Sequence, residues 1–276
     1  MMQRRTLFLA GTAALALAGT ARAQEAGGST FESVQRTKRL RVAAFPGADP
    51  YFRKDLASGT WTGAGVVMAQ DIAGYFDAQL EFVESTYGNA VLDLQANKID
   101  LGFAMTPTPR RALSIDFSNP YLMNSYGVIA KPGFTPRSWA DLNHPELRVA
   151  IELGSVHETA ARSFAPKAQI MGFKLGNETL LALQAGHVDC LCIAGFQGLM
   201  AAKRNPSLGK FFVLQDPVLV LPSCIGIRAE PDGQWRRFLN AWADYNRGTE
   251  QVRKWMMDGL TANGLQAADV PPEITF

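Results

Sequence analysis

The sequence predicts an α/β protein of two lobes joined by two extended crossings, and three observations carry that prediction. Short apolar runs alternate with segments of helical period along most of the chain. The alternation occurs twice, between about residues 40 and 104 and again between 148 and 193. Each set is followed by an extended apolar segment, at 126–131 and at 224–228, of the kind a crossing between lobes needs.

Taken in order, Leu40–Phe45 reads as a strand, Gly65–Phe76 as a helix and Gln79–Val83 as a second strand. Asn89–Ala96 then reads as a helix and Ile99–Ala104 as a third strand. Tyr126–Lys131, followed by Pro132-Gly133, is the first crossing. The second set runs Arg148–Leu153 as strand, His157–Phe164 as helix and Ala168–Met171 as strand, then Glu178–Ala185 as helix and Val188–Ile193 as strand. Cys224–Arg228 is the second crossing. Beyond it Gln234–Asn246 and Thr249–Asp258 read as helices, with Trp235, Phe238, Leu239 and Trp242 on one face, placed to return and cover the first lobe. The division expected is residues 30–125 plus 224–276 for lobe 1 and 126–223 for lobe 2. No repeat of solenoid period and no low-complexity tract interrupts the pattern.

The N-terminus sets the compartment. Arg4-Arg5 precedes an apolar run from Leu7 to Leu17, and Ala21-Arg22-Ala23 has the small-x-small form of a cleavage site, so residues 1–23 read as a signal peptide. The run is short of the ~20 apolar residues that span a bilayer. Arg4-Arg5-Thr6-Leu7-Phe8-Leu9 fits a twin-arginine signal, and an ordinary Sec signal also begins with two basic residues; both routes stay open. A periplasmic location is expected. Loss of Arg4, Arg5 and Arg22, with no acid removed, takes the 27 basic residues to 24 against 25 acidic ones. That near-neutral balance, without a run of like charge, argues against a nucleic-acid or anionic-membrane partner.

Cys190, Cys192 and Cys224 are an odd set, so at least one thiol is free in an exported chain. Cys190 and Cys192 alternate along a strand and face one side, where they read as small apolar core residues. His144, His157 and His187 are scattered, with no ligand pair at turn spacing, so no metal and no cofactor is expected.

The most specific string is Ala104-Met-Thr-Pro-Thr-Pro-Arg-Arg-Ala112, followed by Ile115-Asp-Phe-Ser-Asn-Pro-Tyr121. It resembles the family 3 extracellular solute-binding proteins, the polar amino-acid receptors of ABC importers. The resemblance extends through Gly154-Ser155, Ala185-Gly-His-Val-Asp189, Gly226-Ile-Arg228 and the later Asn240, Gly248 and Trp255. It implies a type II periplasmic binding protein-like fold, a monomer that binds a small carboxylate-bearing molecule, and an ABC permease in the inner membrane as partner.

Physical chemistry agrees with the use the resemblance implies for these residues. A loop running from a strand into a helix offers backbone N–H groups and positive potential, and an arginine fork matches a carboxylate. Arg111 is expected to grip the ligand carboxylate, Thr106 to add a hydroxyl and an N–H, and the Ala104 carbonyl to accept from the ligand. Arg110 is expected at the surface. Gly154, Ser155, Val156 and His157 match the family's second-lobe helix start, whose N–H groups take the other side of the carboxylate. His157 either reaches the ligand or sits in the first helical turn. Tyr87 and Phe45 are each either an aromatic platform for the ligand or core.

The chain departs from the family at three places. The resemblance puts an ammonium-pairing aspartate where this chain has Ala194, some relatives carry an acid where it has Phe45, and Gly65 and Val67 stand where acids are usual. A buried ammonium without an anion is costly. The ligand is therefore expected to lack a conventional α-ammonium, or to meet Asp49 instead. Exported dehydratases acting on cyclohexadienyl amino acids resemble the same receptors, and Glu152, Glu158 or His157 are the acids such chemistry would recruit. A sensory receptor is a third reading, since it uses the same closing motion. Spacing gives no paired acid and base, so no enzyme is expected.

Overall fold

The computed structural model describes residues 28–272 and 274; the segment read as a signal peptide lies outside them. Helix α1 (Thr30–Thr37), capped by the Ser29 hydroxyl accepting from Glu32 N–H, leads into β1 (Arg39–Ala44). A small hairpin, β2 (Arg53–Lys54) and β3 (Trp61–Thr62), precedes α2 (Ala64–Gly74). Then come β4 (Gln79–Glu84), α3 (Ala90–Gln95), β5 (Leu101–Met105), the short α4 (Pro109–Ala112), β6 (Asp116–Phe117) and β7 (Leu122–Ala130). The second set is β8 (Arg148–Glu152), α5 (Val156–Phe164), β9 (Gln169–Phe173), α6 (Gly176–Gln184), β10 (Cys190–Ala194), α7 (Gly195–Arg204) and β11 (Lys210–Val213). β12 (Val220–Ile227), α8 (Gln234–Gly248) and α9 (Gln251–Thr261) complete the elements.

The fold is two α/β lobes joined by two crossings. In the first, β1 pairs in parallel with β4 and β5, and β12 closes the sheet antiparallel to β5. In the second, β8 pairs in parallel with β9 and β10, and β7 closes it antiparallel to β10, with β11 on its other side. The crossings are β7 and β12. Leu122–Ser125 of β7 pairs with Val220–Ser223 of β12, so the two form one antiparallel ribbon before each enters its own sheet. Both strands begin four residues earlier than their apolar runs suggested, because Asn124-Ser125 and Pro222-Ser223 dilute the pattern where the ribbon joins the lobes.

Each lobe fastens its first and third strands with the same clasp. Asp100 accepts from the Arg41 backbone N–H at 2.7 Å and from its guanidinium Nε at 3.1 Å, while the Asp100 N–H donates back to the Arg41 carbonyl. Asp189 does the same with Arg148, at 2.9 and 3.1 Å, and also receives the Lys131 ammonium. These cations hold the Asp189 carboxyl well below the usual carboxylate range despite its burial.

α8 and α9 fold back onto the first lobe. Trp235, Leu239 and Trp242 are buried there with β1, β5 and α2 residues, and Phe238 is half-buried against them. The Trp235 indole donates to the Asp100 carbonyl at 3.0 Å and the Trp242 indole to Asp71 at 2.7 Å, which lets each ring bury without an orphaned N–H. All three cysteines are free and buried, and burial pushes the Cys192 and Cys224 thiols up to about 12. No described helix is long and apolar enough to cross a membrane.

Candidate ligand-binding cleft

In open parallel sheets ligands sit beyond the carboxyl ends of the strands. Here the ends of β5 and β10 face each other across the crossing ribbon, with the loop after β8 beside them. Between them lies a cavity of about 10 Å³, the size of about one water. Ala104, Thr106 and Arg111 come from the loop after β5. Ser155, Val156 and His157 come from the start of α5, Ala194 and Gln197 from the start of α7, Asn124 and Tyr126 from β7, and Tyr51 and Tyr87 from first-lobe loops.

Thr108 caps α4, its hydroxyl accepting from the Arg111 N–H at 3.2 Å, and this turns Arg111 back over the loop. The guanidinium donates to the Thr106 carbonyl at 3.0 Å and, across the cleft, to the Gly154 carbonyl at 2.8 Å. Burial lowers its pKa, yet a guanidinium remains charged. Arg110 is exposed, as expected. Ala104 has a left-handed backbone, φ +56°, which costs a non-glycine residue of order 1–3 kcal/mol. Its N–H is held by the Tyr121 hydroxyl at 2.8 Å, and the strand pairing shifts register there. The Thr106 hydroxyl lies 3.1 Å from that of Tyr126.

Opposite, Ser155 caps α5, accepting from the Glu158 N–H at 3.3 Å and donating to the Glu152 carbonyl at 2.6 Å. Gly154 sits at φ +76°, and a Cβ there would lie 2.5 Å from the Gly88 Cα of the first lobe. Its N–H donates to Glu158 at 2.9 Å, so Gly154 meets Arg111 through its carbonyl and does not line the cavity. His157 is in the first turn of α5 and also lines the cavity. Burial and the Arg111 charge push its pKa down to about 4, so it is neutral at pH 7. Its ring stands 5.4 Å from that of Tyr126, and its Nδ1 has no hydrogen-bond partner.

Tyr87 lines the cavity, whereas Phe45 lies behind it with ring centroids 4.5 Å apart, buried against Phe52. Phe45 is thus core that packs behind Tyr87, because the strand ends before it and turns its ring inward. Asp49 does not reach the cavity; it forms an ion pair with Arg204 of α7, a bridge between the lobes outside the cleft. Glu152 is buried beside Tyr87 and the start of α6, off the cavity, and burial with the nearby Glu178 raises its carboxyl to about 8. Sequence reasoning missed Tyr51, Asn124, Tyr126 and Gln197. Tyr126 opens the segment predicted as the first crossing, Asn124 lies just before that segment, and Gln197 stands on a helix that was not foreseen.

The profile of the bacterial extracellular solute-binding proteins, family 3, matches residues 40–262. The chain belongs to that family. Among its relatives is the arginine-binding extracellular protein ArtP of Bacillus subtilis, 26% identical over 237 residues, covering 83% of this chain and 90% of that one. The histidine-binding periplasmic protein of Salmonella typhimurium is 26% identical over 216 residues, 74% and 80% of the two chains. Among solved structures, the ancestral amino acid-binding protein AncCDT-1, described as a precursor of cyclohexadienyl dehydratase, superposes with a TM-score of 0.74 at 27% identity over 83% of this chain and all of that one. The AbpA protein of Streptococcus pneumoniae bound to L-arginine has a TM-score of 0.77 at 20% identity, over 85% of this chain and 100% of that one, a likeness of fold. The family 3 chain described here is therefore a solute-binding receptor with a type II periplasmic binding protein fold.

Proposed function

We propose that this family 3 protein is the exported, periplasmic receptor of an ABC importer and captures a small carboxylate-bearing solute by closure of its lobes, with lobe 1 at residues 30–125 plus 224–276 and lobe 2 at 126–223. One observation carries the reading: Arg111, on the first lobe, lines the cleft and spends its second donor on the Gly154 carbonyl of the other lobe. A ligand carboxylate placed between Arg111 and the start of α5 replaces that carbonyl with an anion and ties both lobes to one molecule. Closure is then driven by contacts that exist in the closed form alone. The cavity is too small for any amino acid, so the lobes part to admit the ligand and re-form around it.

A dehydratase reading draws no support from the cleft. Its titratable groups at neutral pH do not include a carboxylic acid beside a base: His157 is neutral, Glu158 is engaged by Gly154 and Arg162, and Glu152 lies off the cavity. The receptor works without catalysis and hands its ligand to an inner-membrane permease.

The test is a thermal-shift screen of residues 24–276 against small carboxylates, repeated with Arg111→Ala. Ligand at 100 times its Kd adds about 2.7 kcal/mol. Removing one side of a buried charge pair costs about 3–5 kcal/mol, so the variant should fold normally and show no stabilisation by any ligand that stabilises the parent. Undiminished stabilisation would exclude the assignment of Arg111.

A further inference from the structure

Among the described residues that line the cavity, Arg111 carries the one formal charge at neutral pH. None of the acids on the neighbouring elements lines the cavity. Glu158 accepts from Gly154 and Arg162, Asp49 is paired with Arg204, and Glu152 is buried outside the lining. Two helices open onto the same cavity. α5 presents Val156 and His157, and α7, ten residues long, follows Ala194 at its N-cap position, whose side chain caps nothing. Helix starts carry positive potential, so an ammonium at this point meets repulsion from Arg111 and from both helix ends, with no anion to offset it.

A second feature narrows the chemistry. Asn124 is only 2% exposed, lines the cavity, and its Oδ1 has no hydrogen-bond partner. Tyr126 is paired with Ala194 between β7 and β10, and Asn124 lies two positions before it on the same face of β7. That register sets Asn124 beside the first turn of α7. A buried carbonyl oxygen requires a donor, and the uncapped helix start requires an acceptor. An ammonium donates but cannot accept. A keto oxygen accepts but cannot donate. A hydroxyl does both, its oxygen toward α7 and its proton toward Asn124.

We infer that the cleft is built for a 2-hydroxy carboxylate, with Ala194 and Asn124 selecting an α-hydroxyl and excluding an α-ammonium. The inference rests on the reading of the cleft as a carboxylate receptor and adds to it the substituent next to the carboxylate.

The experiment is isothermal titration of the purified protein with each common amino acid and with the 2-hydroxy and 2-oxo acids of the same side chain. For the side chain that binds tightest, the 2-hydroxy form should bind at least tenfold tighter than the amino acid and tighter than the 2-oxo form. Ala194→Asp, which places a capping carboxylate at the start of α7, should reverse the order between hydroxy and amino forms. Ala194→Asn caps the same helix without charge and should leave the order unchanged, which separates charge from capping. An amino acid that binds the parent protein as tightly as its hydroxy counterpart, or a 2-oxo acid that binds tighter, overturns this inference and leaves the carboxylate receptor standing. Failure of all three forms to bind overturns both.

Discussion

Glu152 shows what a carboxyl costs when it is buried with no cation beside it. Its pKa rises from 4.5 to about 8, with desolvation the larger cause and Glu178 the smaller. Below pH 4.5 it is protonated in folded and unfolded chains alike and has no effect. Between 4.5 and 8 the unfolded chain has released the proton that the folded chain still holds, so stability falls as pH rises, and the full penalty is present above 8. Glu152→Gln should therefore melt with the parent near pH 4.5 and be more stable by on the order of a few kcal/mol near pH 8. Chemical denaturation across that range checks it; a difference that does not change with pH would remove the assigned cause. The single residues at the cleft were legible in proportion to their local motif. Thr106 and Arg111 lie on a string whose loop-to-helix chemistry is written in consecutive residues, and they line the cavity. Asn124 was not legible, because its place in the cavity lining comes from a register between strands about 70 positions apart in sequence, Tyr126 with Ala194.

The strands and helices predicted from the hydrophobic period are present in both lobes, and their ends differ from the sequence reading by a few residues. The period does not predict α1, α4, α7 or the short strands β2, β3, β6 and β11. Gly195 and Gly198 weaken the helical signal of Gly195–Arg204, and the segment was not read as a helix. The structure gives the reason for Gly198: a Cβ there would lie 2.2 Å from the Phe211 ring, so the glycine is a packing requirement of α7 against β11. β11 was missed for its brevity. The loop before α5 is equally dependent on a missing side chain. Gly154→Ala would put a methyl group on a left-handed backbone 2.5 Å from Gly88 of the first lobe. The expected result is a folded protein whose ligand affinity drops at least tenfold because the lobes no longer meet, seen in titration beside an unchanged far-ultraviolet circular dichroism spectrum. Retained affinity would mean that closure does not bring these two glycines together.

The lobes touch at points distributed around the cleft: Arg111 with the Gly154 carbonyl, Gly154 with Gly88, Gly47 with the start of α6, and Arg204 of α7 with Asp49 and Asn263. The last pair lies outside the ligand cavity and is only partly buried, so it contributes to the balance between open and closed forms by about 1 kcal/mol or less. Arg204→Ala should enlarge the radius of gyration measured by solution scattering without ligand, and should leave the liganded value unchanged. An identical profile without ligand would show that the pair does not hold the lobes. Two lobes and two crossings were readable from the doubled alternation of strand and helix. The geometry of the ribbon was not, since nothing in either crossing segment alone states that Leu122–Ser125 and Val220–Ser223 pair with each other.

That ribbon also orders events during synthesis. β12 fills the place between β5 and β7, yet its residues emerge from the ribosome about 120 positions after those of β5. Until they appear, the nascent first half carries β5 as an open edge, a row of unpaired backbone groups able to recruit another chain. The intervening domain can complete its own parallel sheet in the meantime, because β8, β9 and β10 are contiguous in the chain. The insertion should thus mature before the domain into which it is inserted, and any holdase that protects the emerging polypeptide has its main task at the β5 edge.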